Sequence, residues 1–342
     1  MIGASTLWDR ALPDYAPDVR FSPDGGLVAA ATVAGPVVVL DPRSGAERFR
    51  FEGHPGGTLS LAWSVTLSLL AVGGADGAVT LLDARDGEAR ARVALGRGWT
   101  DRLAWSPDGT VLAAAVGRSL CFVSADGALR GRFDGHPSTV TGLAWHAARG
   151  GVITSTYGVL SLLSQEDPVP IAQHYFRTSL LTVNPSPDGR FVAAGTQDPM
   201  VHVWDLDDEM NEVNLTGYAG KVSVLAWSPA HALLATGSGP SLVIWDFTGG
   251  DPFRRPPKVV ALGGAGRVTA ITFLWSGELL AGTEGGAVWC VELGPDGEPR
   301  ERAILARTSG AVCGLVPSPD SRGVAVVVSG GRLAFLSLVD DL

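Results

Sequence analysis

Six histidines, three cysteines and a short acidic run are the side chains of this 342-residue chain that could hold a metal, carry a nucleophile or move a proton. Such chemistry needs several of these groups at set spacing on one face. His54 and His136 each follow a glycine and stand apart from other ligands. Cys121, Cys290 and Cys313 are far from one another with no CxxC pair, which fits neither a disulfide framework nor a zinc site. They read as three small buried hydrophobes. Asp205, Asp207, Asp208 and Glu209 cluster as a cation loop would, yet the glycine and distal carboxylate of a calcium loop are missing, so a solvated turn is expected. The segment GYAGKV (217–222) offers Lys221 to a phosphate but lacks the leading glycine and the Ser or Thr after the lysine. Asn214-Leu215-Thr216 is a glycosylation acceptor only in a secreted chain. With no HExxH, no GxSxG elbow and no dinucleotide fingerprint, the expectation is a chain without catalytic residues, cofactor or metal.

The elements that carry these residues repeat. VRFSPDG (19–25), LAWSVTL (61–67), LAWSPDG (103–109), LAWHAAR (143–149), VNPSPDG (183–189), LAWSPAH (225–231), ITFLWSG (271–277) and LVPSPDS (315–321) align. Their third residues, Phe21, Trp63, Trp105, Trp145, Pro185, Trp227, Phe273 and Pro317, are spaced 42, 42, 40, 40, 42, 46 and 44. Each unit reads as an apolar strand ending in an aromatic, a Ser-Pro-Asp-Gly turn, a Val/Leu/Ala strand, a Gly-rich turn, a third strand, a polar turn such as DPRSG (41–45), and a more polar fourth strand. Proline at the second turn position fixes φ, which gives the turn its mechanism. Strands this short with turns this frequent predict an all-β chain. A four-stranded unit with two apolar faces is unstable alone, and stacking units radially buries both. Repeats are expected to start near 19, 59, 101, 141, 181, 222, 268 and 312, within one domain spanning 1–342.

Composition narrows the classes further. Hydrophobic residues are 46% of the chain and charged residues 18%, which supports a large core and argues against disorder. The net charge of −9, with no basic stripe, repels a phosphate backbone, so no nucleic acid partner is expected. Pro55 to Ala75 carries no charge, but it holds a proline, four glycines and several hydroxyls and falls in register with the other strands, so no membrane insertion is expected. The opening MIGASTLWDR has no secretory pattern, which predicts a reducing cytoplasm. Lysine occurs only at 221 and 258, an arginine-heavy usage that looks bacterial.

These features resemble the WD40 family, whose repeat carries Gly-His near its start and Trp-Asp at the end of its third strand. Trp204-Asp205 and Trp245-Asp246 match the latter, Gly53-His54 and Gly135-His136 the former, while Asp41 and Asp83 keep the acid after a leucine. The resemblance implies a closed β-propeller of about eight four-stranded blades, with seven blades and one irregular unit as the alternative. It also implies that residues near Ser5 to Ala11 supply the fourth strand of the last blade, whose third strand is RLAFLSL (332–338). In this family a His, a Ser or Thr, an Asp and the Trp form a buried hydrogen-bond network, and no unit here has all four. The second has His54 and Asp76 with Val72 and Leu82. The fourth has His136 and Thr154 with Tyr157 and Leu163. The fifth has Asp198 and Trp204 with Ala194, and the sixth Thr236 and Trp245 with Tyr218 in the histidine's place. Structural histidines are therefore expected.

Partners of this family dock most often on the face of loops joining the fourth strand to the next inner strand and the second to the third. Those loops are expected to hold Arg97, Trp99, Arg118, Tyr157, Phe176, Arg177, Met200, Tyr218 and Lys221, residue types that interfaces favour. The opposite face, rich in Asp, Gly, Pro and Ser, is expected to be solvated. The sequence reading is a non-catalytic interaction scaffold or recognition subunit that binds a protein or peptide. The alternatives are a propeller enzyme with a site at the channel mouth and a purely structural subunit.

Overall fold

The computed structural model describes residues 2–166, 169–208, 211–263 and 266–340, apart from the side chains of Ser238, Val339 and Asp340. Eight four-stranded antiparallel sheets form the blades of a β-propeller. Seven are continuous in sequence, spanning 18–51, 58–94, 102–133, 142–179, 184–215, 225–261 and 268–307, with strands in sequential order from the innermost outward. The eighth spans 312–340, and Ile2–Ala11 is its outermost strand, paired from Ile2↔Asp340 to Ala11↔Arg332. Eight blades and a last blade completed by the N-terminal strand therefore hold. The uncharged run 55–75 contains the inner strand Thr58–Trp63 and second strand Leu69–Gly74 of blade two. Among the described residues no helix is long and apolar enough to cross a membrane.

The chain divides into two compact units. Blades one to four lie in Leu12–Pro42 and Ala46–Val183, and blades five to eight in Met1–Ala11, Arg43–Gly45 and Asn184–Leu342. Within each, the core sits between successive blades. Ala29, Val37 and Val39 of blade one meet Leu61, Leu70 and Leu82 of blade two. Leu81 and Val79 meet Leu112 and Val123, and Leu120 and Phe122 meet Val152 and Leu163. In the other unit Phe191, Val203 and Leu215 pack on Trp227, Leu234 and Trp245, and equivalent clusters join blades six, seven and eight.

The repeated turn explains how the inner strand is held. In blade one the Ser22 hydroxyl donates to Asp24 Oδ1 at 2.6 Å and accepts from Leu27 N at 2.9 Å. Gly25, at φ 71°, closes the turn by donating to Ser22 O, a backbone conformation that glycine adopts without a Cβ penalty. The last blade ends this motif in serine, and Ser321 at φ 56° is the one non-glycine residue with positive φ among the described residues.

Four inner strands close on a tryptophan that does more than fill space. Trp63 Nε1 donates to Arg20 O at 3.1 Å, Trp105 to Ala62 O at 3.0 Å, Trp145 to Ala104 O at 2.7 Å and Trp227 to Asn184 O at 3.0 Å. Each acceptor immediately precedes the corresponding residue of the preceding blade's inner strand. The indole thus ties one blade to the backbone of its predecessor and keeps its own N–H paired on burial. Trp105→Phe keeps most of the ring volume but deletes this bond, and is expected to cost about 1 kcal/mol. Trp105→Ala also opens a cavity and should cost about 3–5 kcal/mol. Urea unfolding of the two variants beside wild type checks the difference.

Candidate partner-binding loops

The residues that looked capable of chemistry prove to be parts of buried hydrogen-bond networks. His54 places Nδ1 3.0 Å from Asp76 Oδ1 and Nε2 3.1 Å from Val72 O. A carboxylate and a carbonyl both only accept, so the neutral ring donates to one of them at a time, where the hydroxyl that Val72 lacks could also have donated. His136 faces Arg118 O through Nδ1 at 3.0 Å and Thr154 Oγ1 through Nε2 at 2.8 Å. A carbonyl only accepts, so Nδ1 carries the proton and Nε2 accepts from the threonine. Burial pushes both imidazoles below their ordinary value, against the opposing pull of Asp76 on His54 and of the Arg118 carbonyl on His136.

Tyr218 belongs to this group and not to the surface. It is 8% exposed. Its hydroxyl lies 2.9 Å from Thr236 Oγ1 and accepts from Trp245 Nε1 at 2.8 Å. Burial raises its ionisation above the ordinary value. The tyrosine fills the histidine's place in blade six, which removes it from the docking set.

In the first unit the structure brings Arg97, Trp99, Arg118 and Tyr157 onto neighbouring loops. Arg97 and Trp99 lie between Ala89–Ala94 and Arg102–Trp105, Arg118 between Val111–Val116 and Ser119–Ser124, and Tyr157 opens Tyr157–Ser164. Gly117 N donates to Trp99 O at 3.3 Å and Val140 N to Gly117 O at 2.9 Å. Arg118 Nε donates to His136 O at 3.0 Å, and Tyr157 N to Ser138 Oγ at 2.9 Å. These bonds link four successive segments and fix their backbones, with the Arg118 side chain spent on one of the links. Trp99 is 64% exposed and Tyr157 60%.

Phe176 and Arg177 are placed differently from the sequence expectation. They lie within the outermost strand of blade four, Pro170–Ser179, and not in the loop after it. Tyr157 pairs with Ser179 and Val159 with Tyr175, so residues 176–178 bulge opposite Gly158 alone. Gly158 has φ 69°, and a Cβ there would stand 2.8 Å from Phe176 O. The bulge lengthens the strand beyond what the repeat predicts. Phe176 is half-buried and Arg177 exposed.

In the second unit Met200, half-buried, donates its N–H to Asp198 O at 2.7 Å in the turn after Phe191–Gly195, and Lys221 is exposed ahead of Leu225–Trp227. Asp205 is buried and held by Arg190, whose Nη2 is 2.7 Å from Oδ2. Burial alone would raise this carboxyl, but the Arg190 bonds and charge hold it below its ordinary value. Asp207 and Asp208 continue a turn anchored on Asp205, and Glu209 lies outside the described residues. Among the described residues no group of three His, Cys, Asp or Glu is placed to share a metal ion. Cys121 and Cys290 are buried, with thiols pushed up to about 11 and about 12, first by burial. Cys313 differs from expectation in being only half-buried.

Sequence reasoning missed a groove on the opposite, turn-bearing face. A cavity of about 370 Å³ opens between blades five and six, lined by Asp188, Arg190, Phe191, Trp227, His231 and Phe247 among others. Its floor is an aromatic cluster, with Phe191, Trp227 and Phe247 centroids 4.9–6.1 Å apart. The paired aromatic and arginine in GRFVA (189–193) is the only signal of it in the sequence.

The WD domain, G-beta repeat model matches residues 45–83, 171–205 and 211–246, so the chain carries WD40 repeats in three places. Each match ends on the aspartate that closes a third strand. Over 65 residues the chain is 35% identical to the U5 small nuclear ribonucleoprotein 40 kDa protein of Homo sapiens and to that of Bos taurus, a stretch covering 19% of this chain and 18% of each relative. The chain thus matches about a fifth of those relatives' length. Among solved structures, the computationally designed Ika8 protein superposes with a TM-score of 0.78 at 17% identity, over 97% of this chain and 98% of that one, a likeness of fold.

Two outcomes follow from the buried networks. Tyr218→Phe removes the acceptor of the Trp245 N–H, while the Thr236 hydroxyl keeps its bond to Val243 O, and the change is expected to cost about 1–3 kcal/mol in thermal unfolding, with partner binding unchanged. His54 and His136 titrate below 6.5 in the folded chain, so the unfolded chain takes up protons first as pH falls. Their contribution is complete above 6.5 and is lost below it. The melting temperature should therefore drop between about pH 7 and about pH 5.5, and less steeply in His136→Asn.

Proposed function

We propose that the chain is a non-catalytic scaffold or recognition subunit that holds a protein or peptide partner on the loop face carrying Arg97, Trp99, Arg118 and Tyr157. The observation that carries this reading is the pair of outward rings. Trp99 and Tyr157 are exposed on loops whose backbones are tied together through Gly117, Val140 and Ser138. Rigid, exposed aromatics flanked by arginine are what dominates protein interfaces, because they bury large area at low entropic cost and leave a polar edge to pair. Phe176 and Arg177 extend the proposed set within the same unit, Tyr218 leaves it, and Met200 and Lys221 remain a separate proposal on the loops of the other unit. The WD40 repeats support the reading, since such propellers generally bind proteins. So does the relative whose name places it in a ribonucleoprotein particle, and we extend to this chain only membership of an assembly.

The tagged protein and a Trp99→Ala, Tyr157→Ala variant, matched for melting temperature, are to be expressed in the native host and their co-purifying proteins compared. The expected result is a partner held by wild type and lost from the variant. A partner set that does not change would remove this face from consideration.

A further inference from the structure

The outermost strands of blades one to four present two matching positions to solvent, and blade four departs from the pattern at both. At the first position one residue bulges out of register with the third strand. It is Arg48, Arg90 and Arg130 in blades one to three, and Ile171 in blade four. Two residues further along stand Arg50, Arg92 and Arg132, and then Gln173, all exposed. The arginines are engaged with local acids. Arg48 lies 3.3 Å from Asp41, Arg90 lies 3.0 Å from Asp83 and 2.7 Å from Asp86, and Arg132 lies 2.8 Å from Asp134. In blade four the base is lost while an acid remains, Glu166 standing where blade three has Asp126. Ser164 stands where blades one and two have Asp41 and Asp83.

What replaces the charges is an apolar stripe. Val169, Ile171 and Tyr175, on one alternation that Gln173 interrupts between the last two, are 52%, 55% and 72% exposed. The strand is ten residues long, against five or six in blades one to three, and holds no Asp, Glu, Lys or Arg from Pro170 to Phe176. Charged side chains on an outer strand discourage the addition of another strand, and a long uncharged edge invites it. Blades one to three carry that protection and blade four does not.

We infer that the outer edge of blade four takes an extended segment of a partner protein as a fifth strand. Apolar side chains at alternate positions of that segment pack on Ile171 and Tyr175, and an acidic residue faces Arg177. Main-chain bonds give such docking its affinity and alternate side chains its selectivity. Size favours a peptide over a second folded copy. One strand edge with three apolar side chains covers on the order of 300–400 Å², well below the roughly 1,000 Å² that a stable association of two folded bodies needs. Charge sets the polarity of the segment's end, because Arg177 is exposed on the same face as Ile171 and Tyr175.

The probe is a phage-displayed library of random twelve-residue peptides panned against the full chain. Enriched sequences are expected to alternate β-branched or aromatic residues with polar ones and to carry an acid near one end. A synthetic copy of the leading peptide should bind at least tenfold more weakly to Ile171→Arg, which installs the residue that blades one to three already carry, and to Tyr175→Arg. It should bind Trp99→Ala as it binds wild type. Methylating the peptide's backbone nitrogens at alternate positions should abolish binding in one parity and spare it in the other. An unenriched library, a consensus without alternation, or equal binding by Ile171→Arg overturns the inference. Loss in Trp99→Ala alone overturns it too and assigns the peptide to the loop face. A wild-type dimer in sedimentation that Ile171→Arg converts to monomer replaces the peptide with a second copy.

Discussion

A blade of this chain is a sheet of four short strands with apolar residues on both faces, and neither face can be left wet. Everything else in the structure answers that constraint. Valines, leucines and alanines interdigitate between neighbours, and the indole of an inner-strand tryptophan reaches across to a main-chain oxygen of the blade before it. The bond fixes register as well as distance, because its acceptor is in each case the carbonyl one residue before the matching position. Phe21 and Pro185, which occupy this position in the first blade of each compact unit, have no such proton to donate. Phe273 and Pro317 lack it as well, so the directional tie enters blades two, three, four and six, and blades seven and eight are joined within their unit by apolar packing.

The same economy governs the buried polar groups. A half-satisfied network in a low-dielectric interior costs more than an apolar one. The chain meets this by local substitution. Where the hydroxyl beside His54 is missing, a carbonyl takes its place. Where a histidine is missing, Tyr218 spans the gap from Thr236 to Trp245. Where the tryptophan is missing, as at Leu82 and Leu163, a fully buried leucine fills the volume. At these places the repeat has drifted in sequence while a substitute partner or apolar volume fills what was lost.

This drift explains what could be read in advance. The strand order, the turns and the blade count follow from the spacing of one aromatic position and from Ser-Pro-Asp-Gly chemistry, both local and both repeated. The closing role of Ser5 to Ala11 follows from counting strands. Tyr218 was ambiguous because a tyrosine suits both a buried histidine's place and an interface, and only burial separates the two. Phe176 and Arg177 were assigned to a loop because a period of about 42 leaves no room for the bulge opposite Gly158. The groove over Phe191, Trp227 and Phe247 depends on the distance between two blades, which no single repeat encodes. The arginines of the outer strands were plainly visible, but their meaning lies in the comparison with Ile171 and Gln173, where the pattern stops.

The pairing of Ile2–Ala11 with Arg332–Asp340 sets a timetable for the growing polypeptide. Asp9 and Arg332, ion-paired at the edge of this ladder, are 323 positions apart. At about 5–20 residues per second of synthesis, the first strand made waits roughly 15–65 s for the strand it must join. Seven blades can close by their own short turns as they emerge. The segment Ile2–Ala11 stays unpaired until then, so the last blade is the one whose outermost strand has waited longest, and a nascent chain is open to capture or cleavage in that segment.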